Sequence, residues 1–229
     1  MLRSQFEEQL SDLHHQFYEM GTEVSESIHK SVRSFIEHNR TLAQEVINYD
    51  PTINEKEIEL EKRSFELIAL QQPMAGDLRM IITVMKASSD LERMGDHSVS
   101  IAKATINLKG ETRIPQVEEA IDYMSLKVQK MVDNVLKAYV KQDATRARKV
   151  ADTDEEVNKL GARIHDQAIA SMQEDPETII AGNDYIKVSS YLERIADYVT
   201  NIAEWIVYLE TGKITELSTA NEEVTPENE

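Results

Sequence analysis

Cysteine is absent from this 229-residue chain, which excludes disulfides, thiolate metal sites and cysteine nucleophiles and fits a reducing cytosol. Any metal it holds must be bound by oxygen or imidazole. Aromatic residues make up 6%, and 25 Lys and Arg face 42 Asp and Glu, for a formal charge of −17. A surface of that sign repels polyanions. No basic helix or interleaving of aromatic and basic residues is read to oppose it, so nucleic acid is not an expected partner. Long apolar runs are missing too: residues 80–85 and 202–209 are interrupted by Thr83 and Glu204, and residues 1–8 lack the apolar core of a signal peptide. The expectation is a soluble protein with no insertion into a membrane. There is no strand alternation, no Asn-Gly or Asp-Gly hairpin turn, no glycine-rich nucleotide loop and no serine nucleophile elbow.

What is present is helical periodicity. Phe6, Leu10, Leu13, Phe17, Met20, Val24, Ile28, Val32 and Phe35 recur at steps of three and four, the spacing that keeps one face of a helix apolar. Proline then marks turns, since it lacks the N–H of the helical ladder and disfavours a helical predecessor. On this reading Asp50-Pro51 interrupts the second helical segment, Gln72-Pro73 closes it, and the stretch 109–115 separates two halves. Helices are expected near 115–141, 144–172 and 176–211. The nine methionines follow core spacing in places and read as gap-filling core residues.

The halves repeat. Leu91-Glu92-Arg93-Met94-Gly95-Asp96 returns 101 residues later as Leu192-Glu193-Arg194-Ile195-Ala196-Asp197, and at a shift of 104 Met20, Val24, Ile28 and Phe35 meet Met124, Val128, Val132 and Tyr139. The change of shift places an indel in a turn, where indels are tolerated. The fold class expected is all-α: two tandem antiparallel three-helix bundles, at 1–112 and 113–213, with an acidic disordered tail at 214–229.

Each copy carries two carboxylates four positions apart, stacked on one helical stripe. Leu91, Met94, Ser98 and Ile101 form the inward face, with Leu192, Ile195, Val199 and Ile202 as counterparts. Glu92 with Asp96, and Glu193 with Asp197, lie on its flank. The next step of the stripe is Ser100 in one copy and Asn201 in the other. The neighbouring helices offer Asp50 with Asn54, and Asp154 with Asn158, again four apart. Such a set suits a hard cation, which takes oxygen ligands. A single copy would read as a solvated face, with Arg93 reaching Asp90 or Asp96 and Arg194 reaching Asp197 in weak ion pairs. Survival of Glu-Arg-x-x-Asp in both halves favours a metal- or anion-related site. The Glu-x-x-His pattern of di-iron bundles fails, because Gly95 and Ala196 stand three residues after the glutamates; Glu26 to His29 matches it once, without a counterpart. His14, His15, His29 and His97 read as ordinary polar helix residues.

Gln71-Gln72-Pro73-Met74-Ala75-Gly76-Asp77-Leu78-Arg79, then Ser89-Asp90-Leu91-Glu92-Arg93-Met94-Gly95-Asp96-His97, with the second copy at Tyr191 to Asp197 followed by Asn201-Ile202-Ala203, resembles the PhoU family of phosphate-transport accessory proteins over residues 1 to about 213. The resemblance implies two three-helix bundles, commonly self-associating as homo-oligomers such as dimers. It implies metal sites at Glu92 with Asp96 and at Glu193 with Asp197, for divalent or trivalent ions among iron, zinc, magnesium, manganese and calcium. It implies a cytoplasmic negative regulator of phosphate uptake and of the phosphate-starvation response. Its partners would be the ATPase subunit of a phosphate ABC transporter (PstB-like) and a sensor histidine kinase (PhoR-like). One departure is Gly161, which takes the place paired with Glu57, so the two sites need not be equivalent. The alternative from another class is a metal-dependent phosphatase or hydrolase using the same carboxylates.

Overall fold

The structure, a computed structural model, describes residues 2–108 and 110–217. Helix α1 (Leu2–Ile36) has 35 residues, about 50 Å at 1.5 Å per residue. Its periodic stripe is the core: Leu13, Phe17, Met20, Val24, Ile28 and Phe35 are fully buried. Helices α2 (Arg40–Gln71) and α3 (Ala75–Asn107) complete the first unit. The second contains α4 (Pro115–Lys141), α5 (Ala144–Ala151), α6 (Asp154–Glu174) and α7 (Ile179–Thr211), with one 3-10 turn, Pro176–Thr178, ahead of α7. Boundaries follow side-chain chemistry. Asn39 and Asp143 accept the backbone N–H of Leu42 and Arg146 at the starts of α2 and α5, while Pro115 occupies the first turn of α4, where no N–H is needed.

Two expectations about breaks are corrected. Pro51 does not interrupt α2, which runs through it; the residue is solvent-exposed, so the Ile47 carbonyl that loses its helical donor stays within reach of water. The break comes instead at the repeat-related place in the second half, between α5 and α6, with no proline present. Arg148 and Lys149 close α5 and Asp154, Glu155 and Glu156 open α6. Those signs match the partial charges of a helix C-terminus followed by a new N-terminus.

The two units share one core. α3 packs on α7 and α1 on α4, and a single cluster of buried side chains runs from Phe6 to Val207. Leu91, Met94, Ser98 and Ile101 on α3, and Leu192, Ile195, Val199 and Ile202 on α7, all face inward and are fully buried. Of the stretch expected as a tail, residues 214–217 have no regular structure and Leu217 packs against the core; residues 218–229 lie outside the described residues. Among the described residues no helix is long and apolar enough to cross a membrane.

Candidate metal centre

The facing of α2 on α3 brings the first set of oxygen donors together. Asp50, Asn54 and Glu57 project half-buried from α2 towards half-buried Glu92 and exposed Asp96 on α3. Burial pushes the Glu92 carboxyl above its usual range, and the nearby charges of Asp96, Glu57 and Asp50 push it further, against the opposing pull of Arg93. Asp50 is raised by burial and then by Asp96, with the Asn54 amide and Lys103 acting the other way. Glu57 is raised by burial and by Glu61. Asn54 Nδ2 donates to Asp50 Oδ2 at 3.5 Å. That leaves Asp50 Oδ1 and Asn54 Oδ1 buried without a donor, an arrangement costing about 1–3 kcal/mol per group unless something positive faces them.

The second half rebuilds the same arrangement between α6 and α7. Asn158 Nδ2 donates to Asp154 Oδ2 at 2.9 Å, while Asp154 Oδ1 is buried without a partner. Burial raises Asp154, with Asn158 opposing. Burial raises Glu193, reinforced by Asp197 and Asp154 and opposed by His165. Asp197 is raised by burial and then by Asp154, with Arg194 opposing. Where Glu57 would stand, Gly161 leaves room for the Glu193 carboxylate: a Cβ there would lie 2.6 Å from Glu193 Cδ and overlap its Oε1. The glycine is thus a fitting part of the second set, and its contact with a residue of another helix was invisible to spacing arguments.

The arginines do not neutralise these groups directly. Among the described residues Arg93 and Arg194 close no ion pair; Arg93 crosses to α7 and lies 5.8 Å from the Tyr198 ring centroid. Asn201, expected as a ligand, turns its amide to Asp90 Oδ1 at 3.4 Å across the α3–α7 seam. The Ser100 hydroxyl donates to the backbone carbonyl of Asp96 at 3.1 Å. Asp90 is the titratable residue whose own importance the spacing did not reveal. It is 7% exposed, and burial raises its carboxyl to about 6 despite Asn201, Arg93 and Lys86. His97 stacks between Tyr191 and Tyr198, at 5.6 and 5.8 Å, in the same seam. His29 meets Gln129 and Glu26 pairs with Lys30, so the isolated Glu-x-x-His pattern is not assembled.

The donor chemistry of both sets fits a hard cation: oxygen only, mutually repelling, with buried oxygens lacking donors. Among the described residues no three His, Cys, Asp or Glu side chains form a group that could hold a metal ion. The fit is therefore one of donor type and electrostatics, and binding would have to draw the two helix faces together.

The PhoU domain family model matches residues 17–105 and 121–206, one stretch in each repeat. The phosphate-specific transport system accessory protein PhoU homolog of Streptococcus pneumoniae is 35% identical over 217 residues, covering 95% of this chain and 100% of the relative. That of Clostridium acetobutylicum is 37% identical over 219 residues, with the same coverage of both. The crystal structure of PhoU from Pseudomonas aeruginosa superposes with a TM-score of 0.87 at 33% identity, covering 91% of this chain and 100% of that one. The phosphate transport system regulatory protein PhoU from Streptococcus pneumoniae gives 0.86 at 34%, covering 92% and 99%. With the family model matching both repeats and the fold shared over 91–92% of this chain, the chain belongs to the PhoU family.

Proposed function

We propose that the protein is a cytoplasmic regulator of phosphate uptake, an adaptor between the ATPase subunit of a phosphate ABC transporter and a sensor histidine kinase, which restrains uptake and the starvation response when phosphate is plentiful. The relatives' names as accessory proteins of a phosphate-specific transport system support the coarse role. The observation that supports cation binding within that role is the twice-built set of facing oxygen donors with buried, donorless carboxylate or amide oxygens. Asp50, Asn54, Glu92 and Asp96 would hold one cation or cluster, with Glu57 in support, and Asp154, Asn158, Glu193 and Asp197 the other. A bound cation supplies positive charge that ties the second helical segment of each repeat to its third. The remaining acidic surface suits docking against basic patches on partner proteins.

The test has two arms. Elemental analysis of untagged protein after dialysis against a weak chelator should find metal that is lost stepwise in Glu92→Ala/Asp96→Ala and Glu193→Ala/Asp197→Ala. In cells, the first double variant should derepress phosphate-uptake genes while remaining helical. Unchanged repression with metal lost would remove the regulatory role of the first site, and metal-dependent phosphate-ester turnover lost in that variant would favour a hydrolase instead.

A further inference from the structure

The two repeats match in sequence, and one pair of related places is unlike. Where the end of α1 meets the starts of α4 and α7, the connection between repeats inserts Arg113. Its guanidinium lies 5.7 Å from the Phe35 ring centroid and 5.8 Å from that of Tyr185. It pairs with Glu118, whose Oε1 also accepts the Tyr185 hydroxyl at 2.6 Å. That place is filled.

Its counterpart lies where the end of α4 meets the starts of α1 and α3. At the 104-residue shift Tyr139 stands for Phe35 and His14 for Glu118, and Tyr139 Oη shares a hydrogen bond with His14 Nδ1. Among the described residues no arginine lines this place. The chain leaves α7 through Gly212, left-handed at φ 71° as Gly110 is at 84°. It then turns back along α7, where the Leu217 N–H donates to Glu204 Oε1 at 2.7 Å. What remains is an open groove of about 730 Å³, within the range of pockets that hold small organic ligands.

The groove has an apolar wall of Leu10, Met80, Tyr139 and Val140, a mouth carrying His15, Lys137 and Lys141, and Glu7 also on its lining. The Tyr139 and Ala138 carbonyls near the end of α4 are met by the N–H groups of Gln142 and Asp143 at 3.0 and 2.9 Å, and the exposed Lys137 and Lys141 stand at this end of the helix. Around them the chain is basic. Residues 123–150 carry Lys127, Lys130, Lys137, Lys141, Arg146, Arg148 and Lys149 against only Asp133 and Asp143. The whole-chain charge of −17 conceals this stretch, although α4 as a whole sets Glu118, Glu119, Asp122 and Asp133 against its four lysines.

We propose that this groove binds a small anionic amphiphile, its apolar or aromatic body on Leu10, Met80 and Tyr139 and its carboxylate, sulfonate or phosphate head on Lys137 and Lys141. The site is independent of the oxygen-donor sets on α2–α3 and α6–α7. The probe is 8-anilinonaphthalene-1-sulfonate, an aromatic body with one anionic head, titrated by fluorescence and calorimetry into the full chain. Saturable binding of one probe per chain is expected. Lys137→Glu with Lys141→Glu, both exposed, should weaken it by about tenfold or more through loss of charge-assisted contacts. Val140→Trp, at a position 59% exposed, should block it by filling the groove. The uncharged N-phenyl-1-naphthylamine should bind at least about tenfold more weakly than the sulfonate. Circular dichroism of each variant checks that the helices persist. Non-saturable binding, or binding indifferent to both the lysine and the Val140 variants, would overturn the site. Equal affinity for the uncharged probe would overturn its anion specificity.

Discussion

Gly161→Ala separates the stability of α6 from the chemistry beside it. The new Cβ would lie 2.6 Å from Glu193 Cδ and overlap Oε1, so one side must yield. The atoms in the way are the far end of a half-buried glutamate, whereas the helix backbone is held by packing. Glu193 therefore rotates out, at about 0.5–1.5 kcal/mol if it leaves a rotamer well. Replacing glycine by alanine in a helix interior returns about 0.8–1 kcal/mol. The two offset, so metal-free stability should stay within about 1 kcal/mol of the parent. The proposed second cation site, by contrast, would lose one of its three carboxylates, an effect of about 1.5–3 kcal/mol, or roughly ten- to a hundredfold in affinity. Urea unfolding in chelator gives the first quantity, and calorimetric metal titration gives the second. Gly95→Ala is the control, because a Cβ there meets Ile53 at an ordinary 3.4 Å and should leave both sites intact. If Gly161→Ala unfolds the metal-free protein by several kcal/mol, or leaves two-site binding unchanged, the assignment of Glu193 as a donor over a permissive glycine is wrong.

The raised carboxyls give a signed pH dependence. Burial lifts the Asp90 carboxyl from its ordinary 3.8 to about 6 in the fold, so its contribution is fully present below about 4 and is lost as pH rises through 6. Asp90→Asn, which keeps an oxygen acceptor for the Asn201 amide, should stabilise the protein at pH 7.5 by about 1–3 kcal/mol and flatten the slope between pH 4 and 7; a destabilised variant at pH 7.5 would contradict this. Asp50, Glu57, Glu92, Asp154, Glu193 and Asp197 are raised as well, chiefly by burial. Metal-free protein should therefore gain stability as pH falls from 7 towards 5, and saturating divalent cation should flatten or reverse that trend in urea midpoints by favouring the ionised carboxylates. Arg113→Ala leaves Glu118, 14% exposed, without its guanidinium, and should cost about 2–4 kcal/mol, with Glu118→Gln/Arg113→Ala recovering part of the loss in a double-mutant cycle.

Most of the fold could be read from periodicity because helical packing is a local property of sequence. The stripe from Phe6 to Phe35 names residues that are in fact inside, and the carboxylate pairs found four apart do face one another across α2–α3 and α6–α7. The misreadings share a cause: they depend on what lies beyond the helix in question. Pro51 is tolerated because its side of α2 faces water, which no pattern within the helix states. Gly161 and Glu193 are 32 positions apart and meet only because α6 lies against α7. The break before Asp154 is legible in the basic residues that end α5 and the acidic ones that begin α6, a signal of charge rather than of proline.

The placement of the two oxygen-donor sets bears on how they could act together. Each lies between a second helical segment and the third helix of its own repeat, and the two third helices pack on each other. A cation in one set would draw α2 to α3, and in the other α6 to α7, so the common α3–α7 seam is the element that both would bias. The residues next to the carboxylates already reach across it. Arg93, beside Glu92, lies over the ring of Tyr198, beside Asp197, and His97, beside Asp96, stacks on Tyr191 and Tyr198. Drawing Glu92 or Asp96 towards a cation must move or release these contacts, because a close-packed seam has few arrangements available to it. Asp90 in the same seam lies between the charges of Arg93, Lys86 and Glu204, so its proton occupancy responds to any such movement. If both sets bind cations, two sites that share no ligand would in this way be coupled through one interface, and the asymmetry introduced by Gly161 would give them different affinities for the same ion.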